Sequence, residues 1–208
     1  DENKYNRVYW HSLGTPQDQD RLVFEYPEEK EFGFQPLVTE DGKYLILTVW
    51  VGTDPKHGLY FMPLDEKGQP ADQQFTRMIE PGRAQYEFIE NDGPIFFLRT
   101  DRNAPRGRII AADSRTFDPK GRREIIPESA DEVMDFAVMA NRHLVVAYMK
   151  DAHHLLRVFT LDGKGAGDIE LPGLGSVRQL SAIKEAPEIF IQYTSFLQPP
   201  VILRHDLS

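Results

Sequence analysis

The stretch YLILTVWVGTDPKHGLYFMPLD, residues 44–65, holds two apolar runs on either side of a turn-forming segment. The first run, Leu45 to Val51, is rich in β-branched and aromatic residues, which favour strands. This run is interrupted by Gly52-Thr53-Asp54-Pro55, because glycine and proline commonly end regular secondary structure. The second run extends from Leu59 to Asp65. Two such runs around a short polar break predict a β-hairpin.

The same hairpin pattern occurs three more times. Its first run begins at Leu45, Ile95, Leu144 and Ile189, so the unit repeats every 45 to 50 residues. The second runs end near aspartates and are expected at residues 59–65, 108–113, 156–162 and 201–206. Two further short strands accompany each hairpin. One set is predicted at residues 24–26, 76–79, 123–126 and 168–171, and the other at 34–39, 86–90, 133–139 and 177–183.

Four short strands per unit, with no sustained helical period, predict an all-β fold of the β-propeller type. We expect about four blades of four-stranded antiparallel sheet, all within one propeller domain spanning residues 1–208. Complete units are predicted at residues 33–81, 85–128 and 131–173, and partial units at 7–27 and 177–208. Two strands at the start and three at the end make five, one more than a blade holds. The chain is therefore expected to be part of a larger ring.

Composition excludes several classes of function. The net charge of −9 argues against nucleic acid, whose binders concentrate lysine and arginine on one face. No apolar run approaches the length of a membrane helix, so no membrane partner is expected. The absence of cysteine excludes disulfides, thiolate catalysis and cysteine-based zinc sites. We expect no metal and no cofactor.

None of the seven serines has the flanking residues of a hydrolase nucleophile elbow. The elbow needs small residues two positions on either side of the serine, because the strand-to-helix turn is crowded. Ser195 is flanked there by Tyr193 and Leu197. We predict instead that Ser195 lies in a turn between two blade strands, with Phe196 packed toward a neighbouring blade.

Other candidate sites have a simpler structural interpretation beside the functional one. Adjacent His153 and His154 would point to opposite faces of an extended chain, which is poor geometry for one metal, so a polar turn is expected. Gly163 to Gly167 could cradle a phosphate only if a helix followed, so a hairpin turn is expected. Trp50 could contact a ligand or pack between blades. Three arginines could bind a peptide carboxylate, although salt bridges are favoured: Arg102, Arg106 and Arg108.

The units resemble the propeller of the prolyl oligopeptidase family, and the resemblance runs in order from about residue 7 to residue 208. The similar motifs are Asp41 to Leu45, Gly52 to Pro55 with Leu59-Tyr60, Thr100-Asp101 with Ala104 to Arg108, Leu171 to Val177, and Thr194 to Phe196 with Pro199. One departure is Leu203, where the family usually carries tyrosine.

This resemblance implies a two-domain serine peptidase that cleaves short peptides after proline. A seven-bladed propeller would cover the active site of a separate α/β-hydrolase domain, which carries the serine, aspartate and histidine and is absent from this chain. It also implies that the propeller lends side chains to the outer substrate pocket. By position these are Gly33, Trp50 and Thr53, although the family often has bulkier or sulfur-containing residues at the first and last.

The implied partners are therefore proline-containing peptides and an intramolecular hydrolase domain, with no catalytic residue in this chain. The competing interpretation is a free-standing propeller that binds a protein or peptide partner. We expect a cytoplasmic location, with the periplasm as the alternative. An incomplete ring leaves strand edges uncovered, so the isolated fragment is also expected to self-associate.

Overall fold

The computed structural model describes residues 4–70, 74–116 and 121–208, and it divides the chain into two compact units at residues 1–86 and 87–208. The first unit contains two antiparallel sheets. Sheet I has strands β1 (Arg7–Trp10) and β2 (Arg21–Glu25), joined through a 3₁₀ turn at Gln17–Gln19. Sheet II has β3 (Phe32–Val38), β4 (Tyr44–Val51), β5 (Gly58–Pro63) and β6 (Thr76–Ile79) in that spatial order.

The second unit contains three more sheets, and each strand pairs with the strand next to it in sequence. Sheet III has β7 (Tyr86–Asp92, whose first residue ends the first unit), β8 (Ile95–Thr100), β9 (Arg108–Asp113) and β10 (Arg123–Ile126). Sheet IV has β11 (Val133–Ala140), β12 (His143–Lys150), β13 (His153–Thr160) and β14 (Gly165–Ile169). Sheet V has β15 (Ser176–Ala182), β16 (Glu188–Thr194) and β17 (Val201–Asp206).

These sheets confirm the predicted all-β fold with blades of four-stranded antiparallel sheet. Among the described residues there is no α-helix, and no helical segment is long and apolar enough to cross a membrane.

Strand β12 shows how the sequence builds two cores at once. Leu144 to Tyr148 are all buried, although successive side chains of a strand point to opposite faces. Leu144, Val146 and Tyr148 therefore pack with sheet III residues, whereas Val145 and Ala147 pack with sheet V residues. A strand that is buried on both faces has a continuous run of apolar residues. For this reason the LVVAY segment does not alternate between apolar and polar residues.

The first unit has its own core. Val8 of β1 packs with Leu47, Val49 and Tyr60 of sheet II. Phe24 seals one side of this cluster through edge-on contacts with three rings. Their centroids lie 5.0 to 5.9 Å from that of Phe24, which is the favoured geometry for aromatic pairs.

We expect the buried Tyr148 to make the protein sensitive to alkali. Burial raises the pKa of its phenol to about 12, with Arg157 acting in the opposite direction. The neutral phenol is thus favoured in the folded state, so stability is lost as the pH rises from about 10, the ordinary tyrosine pKa, toward 12. Tyr148→Phe should reduce the loss of unfolding free energy between pH 8 and pH 11, as measured by urea denaturation. The same substitution at exposed Tyr5 should not reduce it.

Candidate functional site

Gly33 and Trp50 stand directly opposite each other on strands β3 and β4. The indole lies against the glycine, because a Cβ built on Gly33 would come within 2.2 Å of Cε2 of the ring. Gly33 is buried and Trp50 is half-buried. Any side chain at position 33 would displace the indole. The glycine therefore sets the position of the aromatic ring, an arrangement that the sequence alone did not reveal.

Thr53 lies on the turn between β4 and β5, where it is exposed. Several hydrogen bonds fix the turn. The Asp54 N–H donates to the Val51 carbonyl at 3.1 Å, and the Lys56 N–H donates to the Asp54 carboxylate at 2.9 Å. The Gly82 N–H donates to the Lys56 carbonyl at 2.7 Å and ties the turn to the segment after β6. The Gly-Thr-Asp-Pro motif is thus a braced turn that presents its threonine to solvent.

The three residues place a half-buried aromatic face and an exposed hydroxyl at one end of the β4–β5 hairpin. An indole face offers stacking and apolar contact, and a threonine hydroxyl offers one donor and an acceptor. This arrangement suits contact with an extended ligand.

A polar and aromatic cluster beside Phe32 was not predicted from the sequence. The Arg77 guanidinium lies 4.6 Å from the Tyr26 ring centroid and donates to its hydroxyl at 3.0 Å, and the Tyr26 and Phe32 rings meet edge-on at 5.2 Å. The Tyr60 hydroxyl donates to Glu80 at 2.7 Å, and burial together with that carboxylate raises the pKa of Tyr60. The residues are scattered along the chain, so only the fold brings them together.

The expected turn at Ser195 is confirmed. The Ser195 N–H donates to the Gln198 carbonyl at 3.0 Å, and the Ser195 hydroxyl accepts from the Leu197 N–H at 3.3 Å. The ring of Phe196 is fully exposed in this chain, so the predicted packing toward a neighbouring blade is not seen with any of the described blades. The turn directs the side chain away from the sheet, which local sequence could not indicate.

The predicted polar turn at His153 and His154 is wrong. Both residues begin strand β13, and they do point to opposite faces, since His153 is partly exposed and His154 is buried. The Val177 N–H donates to His154 Nδ1 at 3.1 Å, so the ring proton sits on Nε2 and is donated to Asp135 at 3.1 Å. Asp135 reaches the ring because it is the extra residue of a β-bulge in β11.

This histidine joins sheet IV to sheet V and has no nitrogen left for chemistry. Its main-chain N–H also donates to the Gly175 carbonyl at 2.8 Å. A general base needs a free imidazole nitrogen to accept a proton, and both nitrogens of His154 are occupied. In the described ranges, no group of three or more histidine, aspartate or glutamate side chains could hold a metal ion.

The remaining candidates take part in turns and polar contacts of the blades, and the Arg102 N–H donates to the Thr100 hydroxyl at 3.1 Å. The Thr160 N–H donates to the Lys164 carbonyl at 2.9 Å, which confirms a hairpin turn at Gly163, whereas Gly165 to Gly167 already belong to strand β14. Arg108 forms the predicted salt bridge, with Glu124 at 2.8 Å. Arg106 instead donates from Nε to a main-chain carbonyl, that of Ser129, at 2.8 Å.

Successive sheets of this kind, each an antiparallel meander with its strands in chain order, define a β-propeller. The family model described as "Prolyl oligopeptidase, N-terminal beta-propeller domain" matches residues 1–208. The chain belongs to the prolyl oligopeptidase family, and it corresponds to the propeller domain.

Individual relatives agree over the whole chain. A prolyl endopeptidase of Dictyostelium discoideum is 30% identical, over 99% of this chain and 29% of its own length. A prolyl endopeptidase of Elizabethkingia miricola is 27% identical, over 98% of this chain and 28% of its own length. A solved structure from a study of two prolyl endopeptidases superposes with a TM-score of 0.89 at 30% identity, over 99% of this chain and 29% of that one. The chain thus spans less than a third of the length of these relatives.

Proposed function

We propose that this chain is the non-catalytic propeller portion of a prolyl oligopeptidase that hydrolyses short peptides after proline. The observation that carries the proposal is the match of the whole chain to the family's N-terminal propeller domain. The relatives' names support the activity, since they are prolyl endopeptidases. The serine, aspartate and histidine of catalysis belong, in this proposal, to a separate α/β-hydrolase domain of the same polypeptide. A cytoplasmic location, with the periplasm as the alternative, stays part of the proposal.

The propeller's role is to gate access of substrate to that catalytic site. Its ring of blades excludes folded proteins and admits short chains. Support comes from the blades themselves, whose strands are fixed by two-sided cores and therefore form rigid walls. Gating by size selects peptides without contacting each side chain of the substrate.

Trp50, with Gly33 behind its ring and Thr53 on the adjoining turn, is proposed to contact the outer part of the substrate. The indole is held by the absence of a side chain at Gly33, so its face is pre-positioned for stacking. Pre-positioning matters because it lowers the entropy lost on binding. These contacts lie away from the bond that is cleaved, so they are expected to affect binding of longer peptides.

Trp50→Ala in the full-length enzyme should raise KM for longer proline-containing peptides about fivefold, with little change in kcat. The magnitude corresponds to loss of one aromatic contact of about 1 kcal/mol. KM for the shortest substrates should not change, because they do not reach the outer pocket. The measurement is steady-state kinetics over a series of peptide lengths.

Trp10→Ala is the matched control, because Trp10 is the other tryptophan of the chain, is also half-buried and lies on β1. It should leave the dependence of KM on peptide length unchanged. If Trp50→Ala has the same KM as the wild-type enzyme at every peptide length, the assigned contact is contradicted.

The alternative is a free-standing propeller that binds a protein or peptide. The two proposals predict different sequences downstream of Ser208 in the gene. A Gly-Gly-Ser-Xaa-Gly-Gly elbow within a few hundred codons supports the peptidase, and a stop codon soon after Ser208 favours the binding module.

A further inference from the structure

Strands β7, β11 and β15 each lie at one edge of their sheets, and each is the first strand of its antiparallel meander. Strands β11 and β15 also contact each other, although they belong to different sheets. The blades of a propeller surround a central channel, and the first strand of each blade lies nearest to it. The exposed side chains of these three strands therefore belong to the channel wall.

One charged residue follows the first deeply buried residue of each of these strands, namely Glu87, Asp135 and Arg178. Asp135 and Arg178 are also the extra residues of β-bulges, which re-aim side chains and are frequent next to functional sites. Glu87 forms an ion pair with Arg99 at 3.1 Å, so its charge is neutralised. Of the two acidic residues, Asp135 is thus the one whose charge is available to a ligand.

The Asp135 carboxylate is half-exposed, and it has no lysine or arginine partner in the described part of the chain. Its hydrogen bond of 3.1 Å comes from a neutral imidazole, since Nδ1 of His154 accepts from the Val177 N–H. Glu132, three residues earlier, is by contrast paired with Arg157. Asp135 therefore keeps a full negative charge that faces solvent.

His154 holds this carboxylate in place. Its side chain is only 4% exposed, and burial of a polar group is costly unless its hydrogen bonds are made. The ring uses both nitrogens to connect strand β15 to Asp135. The carboxylate is thus anchored by a buried group, and its remaining acceptor sites face solvent. Such pre-positioning lowers the entropy lost when a ligand binds.

We infer that Asp135 determines substrate specificity by binding a positively charged nitrogen of the peptide, either the α-ammonium of its N-terminus or the side chain of a lysine. The inference rests on the proposed function for the nature of the ligand. A concave wall of low dielectric focuses the field of an unpaired charge, so a carboxylate in a channel attracts cations. A metal ion is a poorer occupant, because no group of three metal-binding side chains exists in the described ranges.

Steady-state kinetics of the full-length protein on three matched proline-containing peptides tests the inference. One peptide has a free N-terminus, the second is acetylated and neutral there, and the third is acetylated but carries a lysine. The wild-type KM should be about fivefold lower for the free or the lysine-bearing peptide than for the neutral one, as expected for one partly exposed ion pair. Whichever cationic peptide is preferred identifies the source of the nitrogen. The same KM for all three would overturn the inference.

Asp135→Asn keeps an acceptor for His154 but removes the charge, so it should abolish the preference. Asp168→Asn is the matched control, because it removes the same charge from β14, the outer strand of the same sheet. It should leave the preference unchanged. An equal loss in both variants would mean that the net charge of the blade, and not Asp135, attracts the peptide. In the wild type, about 0.5 M salt should reduce the preference, because salt screens exposed ion pairs.

Binding of product peptides that end in proline, and so have no bond left to cleave, is measured in parallel by isothermal titration calorimetry. Turnover without a preference for positive charge overturns the role of Asp135 but not the peptidase. Tighter binding of the cationic peptides without turnover overturns the peptidase but not the cation site. Neither turnover nor binding would overturn both.

Discussion

Gly163→Ala should lower the free energy of unfolding by about 3 kcal/mol, measured by urea denaturation. Gly163 adopts a φ of +89°, which L-residues rarely adopt, and a Cβ there would lie 1.9 Å from the carbonyl oxygen of Ile125. That oxygen belongs to β10, the outer strand of sheet III, whereas Gly163 is in the β13–β14 turn of sheet IV. Because the obstacle is backbone, it cannot rotate away, and the two sheets would have to separate.

Gly14→Ala is a matched control for this prediction. Gly14 has a nearly identical φ of +88°, but nothing lies within 4 Å of a Cβ built on it. The substitution should therefore cost only the backbone strain, about 1 kcal/mol. If Gly163→Ala costs no more than Gly14→Ala, the two sheets do not approach each other at this turn.

The strands were predictable because their apolar runs are strong and their boundaries are marked. The predicted strands at residues 76–79, 108–113, 123–126 and 201–206 match β6, β9, β10 and β17 residue for residue. Proline, glycine or charged residues stand beside each of them, and those residues end strands for local reasons. Most of the fold could therefore be predicted from the spacing of the apolar runs and from the turn-forming residues between them.

The errors arise where tertiary contacts override local chemistry. Two adjacent histidines look polar, yet His154 is buried because Asp135 and Val177 of other strands satisfy both of its nitrogens. For the candidate site, the family resemblance indicated Gly33, Trp50 and Thr53, but only the strand register shows the glycine beneath the indole.

Arg157→Met should lower the free energy of unfolding by about 2 kcal/mol, because it leaves a buried carboxylate without its cationic partner. Arg157 donates to both oxygens of Glu132, each at 2.6 Å, and the Glu132 side chain is only 3% exposed. Methionine keeps much of the apolar stem but removes the charge, and Lys150, 3.9 Å from Glu132, compensates only in part. The Arg157 side chain is itself 36% exposed, so the expected loss is smaller than for a fully buried pair.

Two comparisons separate burial of the carboxylate from simple loss of an ion pair. Arg115→Met breaks the pair with Asp113 at the surface and should lower the free energy of unfolding much less than Arg157→Met does, because water screens exposed charges. The double variant Glu132→Gln/Arg157→Met also removes the unpaired negative charge of Glu132. It should therefore be more stable than Arg157→Met alone. Urea denaturation of the four proteins, including wild type, gives the order of their free energies of unfolding. A double variant no more stable than the single one would mean that the guanidinium stabilises the blade mainly through its 5.3 Å contact with the Tyr148 ring, not by neutralising Glu132.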